Sequence, residues 1–166
     1  MTKKKPAVAV LFMLCATMAS AQEIRPGCYA RVYAQSHLDA NPAQVVREIR
    51  LSVGDWLSEV TRKGLIEVIA ANQGHARMEG NAGRVLSQFL LCGTEADALL
   101  CQVECDGGFL QVTKQSGDSL TFRTRYLMVG ETEECGGAMD LAEVPGQWVS
   151  YRLDRVPEAV CAGMGQ

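Results

Sequence analysis

The sequence predicts an all-β fold: a single antiparallel β-barrel or sandwich of about seven to nine short strands, stapled by disulfides, with at most one or two short helices. Three observations predict it. Runs of alternating apolar and polar residues recur about every ten positions. Glycine-bearing turns such as Asp106-Gly107-Gly108 and Ser116-Gly117-Asp118 separate those runs. Of the 7 cysteines, Cys15 sits in an N-terminal leader, which leaves Cys28, Cys92, Cys101, Cys105, Cys135 and Cys161 to cross-link a globular domain.

The elements follow in order. Cys28 to Tyr33 is a short run of aromatic and branched residues and reads as a strand. Ser36 to Pro42 reads as a loop or one helical turn that stops before the proline. Val45 to Val53 alternates apolar and polar residues, and Gly54-Asp55 turns the chain. Asp55 to Lys63 is the best helical candidate, with Trp56, Leu57 and Val60 on one face and Gly64 as a cap. Leu65 to Ala71 reads as a strand. Asn72 to Arg84 is a connection or a ragged strand around Ala76 to Glu79. Val85 to Cys92 and Leu99 to Cys105 read as strands of a hairpin joined by Gly93 to Asp97. Phe109 to Lys114 is the next strand. Leu120 to Leu127 alternates, with Leu120, Phe122, Thr124 and Tyr126 on one face and Arg123 and Arg125 on the other. Gly136-Gly137 lies in a loop, and Trp148 to Leu153 ends the set with Val149, Tyr151 and Leu153 facing inward.

The N-terminus has the form of a secretory signal. Lys3-Lys4-Lys5 precedes an apolar stretch of about ten residues and an Ala19-Ser20-Ala21 site. A membrane span needs about 20 apolar residues. A lipid anchor on Cys15 would need small residues before it and finds Phe12-Met13-Leu14. Residues 1–21 are therefore expected to be a cleavable signal peptide and residues 22–166 a single exported domain, periplasmic or extracellular. Losing three lysines leaves 13 basic against 19 acidic residues, a net charge of about −6. A surface of that sign repels phosphate, so nucleic acid is not an expected partner.

The cysteine count becomes even at the same cleavage point, which points to three disulfides. Four residues of strand cover about 13 Å, so Cys101 and Cys105 should not pair with each other. Cys28 and Cys161, near the two mature ends, are the favoured pair. Bridging them closes a loop longer than about 100 residues, where chain-entropy stabilisation is largest. A metal site from Cys101, Cys105 and Cys135 is the rival. It lacks the Cys-x-x-Cys spacing and has no histidine nearby in sequence.

No nucleophile motif, P-loop or calcium-loop spacing is present. Ser36, His37 and Asp39 supply the residue types of a triad, but neighbours in one loop rarely adopt its geometry. His75 reads as a solvated histidine. Glu131, Glu133, Glu134, Asp140 and Glu143 read as an acidic surface. Gly80-Asn81-Ala82-Gly83 has neither the spacing nor the lysine of a P-loop. Arg123 and Arg125 read as solvent-facing, with anion binding as the sharper option. Tyr29, Tyr33, Trp56, Phe89, Phe109, Phe122, Tyr126, Trp148 and Tyr151 are expected to fill a core rather than line a cavity.

The strand-and-turn rhythm resembles that of small exported β-barrels, lipocalin-like ones included, a likeness of fold that does not carry function. The expected role is a non-enzymatic binding module without cofactor or metal. Its partner would be an envelope protein, for instance a hydrolase that it inhibits, or a small hydrophobic ligand. Two alternatives stand beside it. One is an envelope assembly protein acting by strand addition. The other is an enzyme with dispersed residues, for which His37, His75 and the carboxylates are the first candidates.

Overall fold

A computed structural model describes residues 23–131 and 136–166. The predicted signal segment and Cys135 lie outside the described residues. Among the described residues are nine strands: β1 (Gly27–Val32), β2 (Val46–Trp56), β3 (Thr61–Ala70), β4 (Val85–Glu95), β5 (Ala98–Gln102), β6 (Gly108–Gln115), β7 (Ser119–Glu131), β8 (Gly137–Asp140) and β9 (Val149–Val156). Two short helices, α1 (Gln35–Ala40) and α2 (Gly74–Met78), and a 3-10 turn at Glu158–Val160 complete the elements. Strands β1 to β7 pair antiparallel in chain order, and β9 lies between β7 and β1. The result is a closed up-and-down barrel of eight strands. The ninth, β8, lies outside the ring and pairs with the far end of β7. Among the described residues no helix is long and apolar enough to cross a membrane.

Alternation decides what faces inward. Ile49, Leu51 and Val53 of β2 are buried, as are Ile66 and Val68 of β3 and Leu86 and Leu90 of β4. Arg47 and Lys63 face water. Apolar inside and charged outside is the reverse of a membrane barrel. Tyr29, Phe122 and Tyr151 fill the middle, with Phe122 and Tyr151 ring centres 5.4 Å apart. Leu38 of α1, Ala76 of α2 and Leu141 are buried at one end. Ile24 is buried at the other, where the Arg25 amide donates to Gln115 Oε1 at 3.1 Å. Each large apolar side chain taken out of water contributes about 1.5 to 3 kcal/mol, so a filled interior is the main source of stability.

Cysteines tie both the inside and the outside. Cys92 and Cys101 are register partners of β4 and β5 and are disulfide-bonded inside the barrel, with Cα atoms 3.9 Å apart. Gly64 makes room for them: a Cβ there would lie 2.7 Å from Cys92 Sγ. Cys28 is bonded to Cys161, 133 residues away, which holds the C-terminal segment against β1. That segment then crosses the outer face of β2 and β3. The Val160 carbonyl accepts from Arg50 Nη1, and the Gly165 amide donates to Glu67 Oε2 at 3.0 Å. Glu67, nearly buried, also receives Arg50 Nη2 at 2.6 Å and the Ser87 hydroxyl at 2.8 Å. Arg50, Glu67 and Ser87 are cross-strand neighbours on β2, β3 and β4, so alternation alone brings them together. Cys105 is disulfide-bonded too.

The structure corrects several sequence expectations. Asp55 to Lys63 is a hairpin, not a helix: β2 runs through Trp56, and Leu57 and Ser58 donate to the Thr61 carbonyl. Trp56, Leu57 and Val60 stay exposed, so a short helix here would bury no face. The ragged strand expected around Ala76 to Glu79 is α2, held by the buried Ala76. Its start needs Gly74, which has φ +55° and lies where a Cβ would meet the Ala43 carbonyl oxygen at 2.8 Å. The strand expected to reach Cys105 ends at Gln102, because Cys105 and Asp106 adopt positive φ in a turn. The reason for separating Cys101 from Cys105 therefore changes: Cys101 is already joined to Cys92. Tyr126 does not share the inward face of Phe122. A register shift between β6 and β7 sets Phe109 opposite Tyr126 and Gln111 opposite Arg123, one extra residue on β7. After it Leu127 and Val129 face inward and Tyr126 is exposed. Gly137, expected in a loop, begins β8.

Three expected outcomes follow from the turns and the cysteines. Ala96 and Asp97 make the two-residue β4–β5 turn with φ of 46° and 67°, which costs non-glycine residues about 1 to 2 kcal/mol each. Ala96→Asn with Asp97→Gly should raise stability by about 1 kcal/mol, seen as a higher urea midpoint at unchanged slope. Gly64→Ala should lower the same midpoint by the equivalent of about 1 to 3 kcal/mol. With four cysteines paired and Cys105 bonded, a non-reducing peptide map should join the Cys105 peptide to the Cys135 peptide. A free thiol at either position would contradict the three-disulfide reading.

Candidate functional site

The ring closes unevenly between β1 and β9. Residue pairing covers only Cys28–Val156, Tyr29–Arg155 and Ala30–Asp154, although β9 begins five residues earlier, at Val149. Beyond that point the strands part at the helix end of the barrel. A cleft of about 380 Å³ opens there, lined by Arg31, Tyr33, His37, Glu143, Ser150 and Arg152 among others. Arg31 records the opening. It shares the inward register of Ile49, yet its guanidinium is exposed and meets Asp154 at 3.3 Å on the outer face of β9. Arg152 approaches the same carboxylate at 3.6 Å. Both pairs are solvent-exposed, where such contacts contribute between about 0 and 1 kcal/mol.

Helix α1 and the segment before β9 furnish the cleft. The His37 ring stacks on Tyr33 with centroids 4.9 Å apart. His37 Nε2 lies 2.8 Å from Oε1 of the buried Gln44, whose amide nitrogen donates to the Val46 carbonyl at 2.8 Å. Oε1 must therefore accept, and His37 Nε2 carries the proton. Burial pushes the Tyr33 phenol up to about 12, against a lowering by Arg31 and with a further rise from Glu143. Burial also raises the Glu143 carboxyl above its ordinary 4.5, with His37 pulling it back. Tyr151, deep below, has its phenol raised by burial and donates to the Leu141 carbonyl at 2.8 Å.

An arginine–aromatic patch adjoins the cleft along β7 and β9. Trp148 has the Arg123 guanidinium 4.4 Å and the Arg125 guanidinium 5.5 Å from its ring centre. Phe109 meets it edge-on at 6.1 Å. Arg123 Nε donates to Gln111 Oε1 at 3.0 Å, which fixes that guanidinium in place. Trp148 and Tyr126 remain 45% and 46% exposed, so this aromatic surface faces water. Around cleft and patch, among the described residues, stand Arg31, Arg123, Arg125 and Arg152, with Asp154 and Glu143 beside the cleft. A chain with more acidic than basic residues has thus gathered positive charge on one face.

The other sequence candidates are spoken for. Ser36, His37 and Asp39 do not act together: Asp39 accepts from Gln35 Nε2, while His37 turns to Gln44. His75 holds α2 to the barrel through the Ala142 carbonyl at 2.9 Å and faces Glu79 at 3.3 Å. Asp140 accepts from the Leu127 and Ala142 amides. Glu133 and Glu134 lie outside the described residues. Asn81 bonds the Ala138 carbonyl and receives Arg84. Cys101 and Cys105 are disulfide-bonded, so neither offers a thiolate to a metal. Of the nine aromatics expected in the core, Tyr29, Phe122 and Tyr151 are there, while Trp56, Tyr126 and Trp148 are exposed. Arg31, Arg152 and Ser150 had no sequence signal, because only the uneven closure brings them beside Tyr33 and Glu143.

The fold and site define a small disulfide-tied β-barrel with a filled interior and a basic, aromatic cleft at one seam. Searched against protein-family profiles, curated proteins and solved structures, the chain matches none.

Burial of Glu143 has a pH consequence. A carboxyl whose folded pKa is raised contributes stability that is full below its unfolded pKa and is lost as pH rises through the folded value. Glu143→Gln removes that loss. Its melting temperature should gain on that of the parent chain as pH rises from about 4 to about 7, as read by thermal unfolding at several pH values. A difference that does not change with pH would contradict the burial.

Proposed function

We propose that this protein is an exported, non-enzymatic binding module whose basic, aromatic face docks on an acidic protein of the cell envelope. One observation carries the reading: the interior is occupied by the chain's own Tyr29, Phe122 and Tyr151, while arginines and exposed aromatics collect on one outer face. A carrier of hydrophobic ligands needs the space those three rings take. Arginine, tryptophan and tyrosine are the residues that most often anchor protein interfaces. Guanidinium groups pair with carboxylates in a fixed fork geometry, which favours an acidic partner. Export is supported by the cysteine pairs, since disulfides persist in oxidising compartments. Inhibition of an envelope hydrolase is one way such docking acts.

The test is affinity capture from envelope extract with the parent chain and with Arg123→Glu/Arg125→Glu. The parent should enrich one acidic protein, the charge-reversed variant should lose it by at least about tenfold, and added salt should weaken the capture. Equal capture by both chains, or no enrichment by either, would overturn the reading.

A further inference from the structure

At the helix end of the seam the pairing of β1 with β9 stops short of the end of β1 at Val32 and of the start of β9 at Val149. The Arg155 amide donates to Asp118 of the β7 side, and the Tyr33 amide donates to Arg47 of β2. Alternation then turns the backbone groups of Ser150 and Arg152, and those of Val32, into the seam. Continuing the register would set Val32 opposite Arg152, but pairing stops at Ala30 and Asp154. The barrel is thus closed as a ring yet keeps a short stretch of two unpaired edges, and the cleft lies between them. The outer edge of β8 is different, because the Ala138 carbonyl there is taken by Asn81 Nδ2 at 2.8 Å.

We propose that this seam accepts an extended, acidic segment of the partner protein as an added strand, a refinement that rests on the acidic-partner reading above. The incoming backbone pairs with Ser150 and Arg152 of β9 and with Val32 of β1. Arg31 and Arg152 share one carboxylate, Asp154, so an acidic side chain of the segment gives the two guanidiniums a second. Charge selects the occupant: an acidic segment meets Arg31, Arg123, Arg125 and Arg152, whereas a basic one is repelled. Strand addition also explains the pattern of the face, with main-chain groups supplying affinity at the seam and side chains beside it supplying selection.

The experiment uses the folded, disulfide-bonded chain labelled for NMR and three capped octapeptides: alternating Glu-Val, alternating Lys-Val, and Glu-Val with alternate backbone nitrogens methylated. The Glu-Val peptide should bind saturably and shift the amides of Val32, Ser150 and Arg152. The methylated and Lys-Val peptides should each bind at least about tenfold more weakly. Arg31→Ala/Arg152→Ala, shown to be folded by an unchanged amide spectrum elsewhere, should weaken the Glu-Val peptide by a similar factor. Equal binding of the methylated peptide, shifts confined to Trp148 and its neighbours, or no binding at all would overturn strand addition. If envelope capture still fails on Arg123→Glu/Arg125→Glu when the peptide test is negative, only the seam is refuted. If both are negative, the acidic-partner reading falls with it.

Discussion

Three residue pairs between β1 and β9 close this barrel, and the rest of the structure depends on that short closure. Without it the inward residues of eight strands would face water along an open edge. Those pairs are reinforced from outside. The Cys28–Cys161 bridge joins β1 to the segment after β9, and a loop of this length contributes on the order of 4 to 5 kcal/mol in the chain-entropy treatment. The same segment reaches the Arg50–Glu67–Ser87 row, so the outer faces of β1 to β4 and the C-terminus form one connected surface. Closure that is strong at one end of the seam leaves the strands free to part at the other.

That asymmetry separates stability from function. The interior is spent on stability, with aromatic rings in the middle, a disulfide beside Gly64 and apolar residues at both ends. What remains for recognition is the outer surface at the open end of the seam. There Tyr33 and Glu143 are partly buried and electrostatically linked to each other and to the exposed His37, and Arg31 and Arg152 share the Asp154 carboxylate. Costs such as a half-buried carboxyl are commonly retained at functional positions.

Much of the fold was legible because period-two alternation survives in most strands. Leu120 and Phe122, or Ile49, Leu51 and Val53, point inward as their spacing predicts. The failures have physical causes. An extra residue on β7 inverts the alternation, which is why Tyr126 faces water and Leu127 does not. The Trp56–Val60 hairpin mimics a helical face because apolar residues at a solvent-exposed tip keep no period of their own. Four residues of β8 are too few to register as a strand, and α2 is legible only once Ala76 is known to be buried. The site was least legible. Arg31 and Arg152 are separated by most of the chain, and ordinary outward-facing strand arginines look the same in a sequence. Trp148 could be singled out as an aromatic but not as an exposed one.

The central claim, a seam paired at one end and open at the other, is tested most directly by native-state hydrogen exchange. Amides of Cys28, Ala30 and Asp154 should exchange slowly, at rates set by global unfolding, while those of Val32, Ser150 and Arg152 exchange fast. Uniform protection along β9 would mean that the seam is shut and offers no edge. Fast exchange along all of it would mean that the ring is not closed at all.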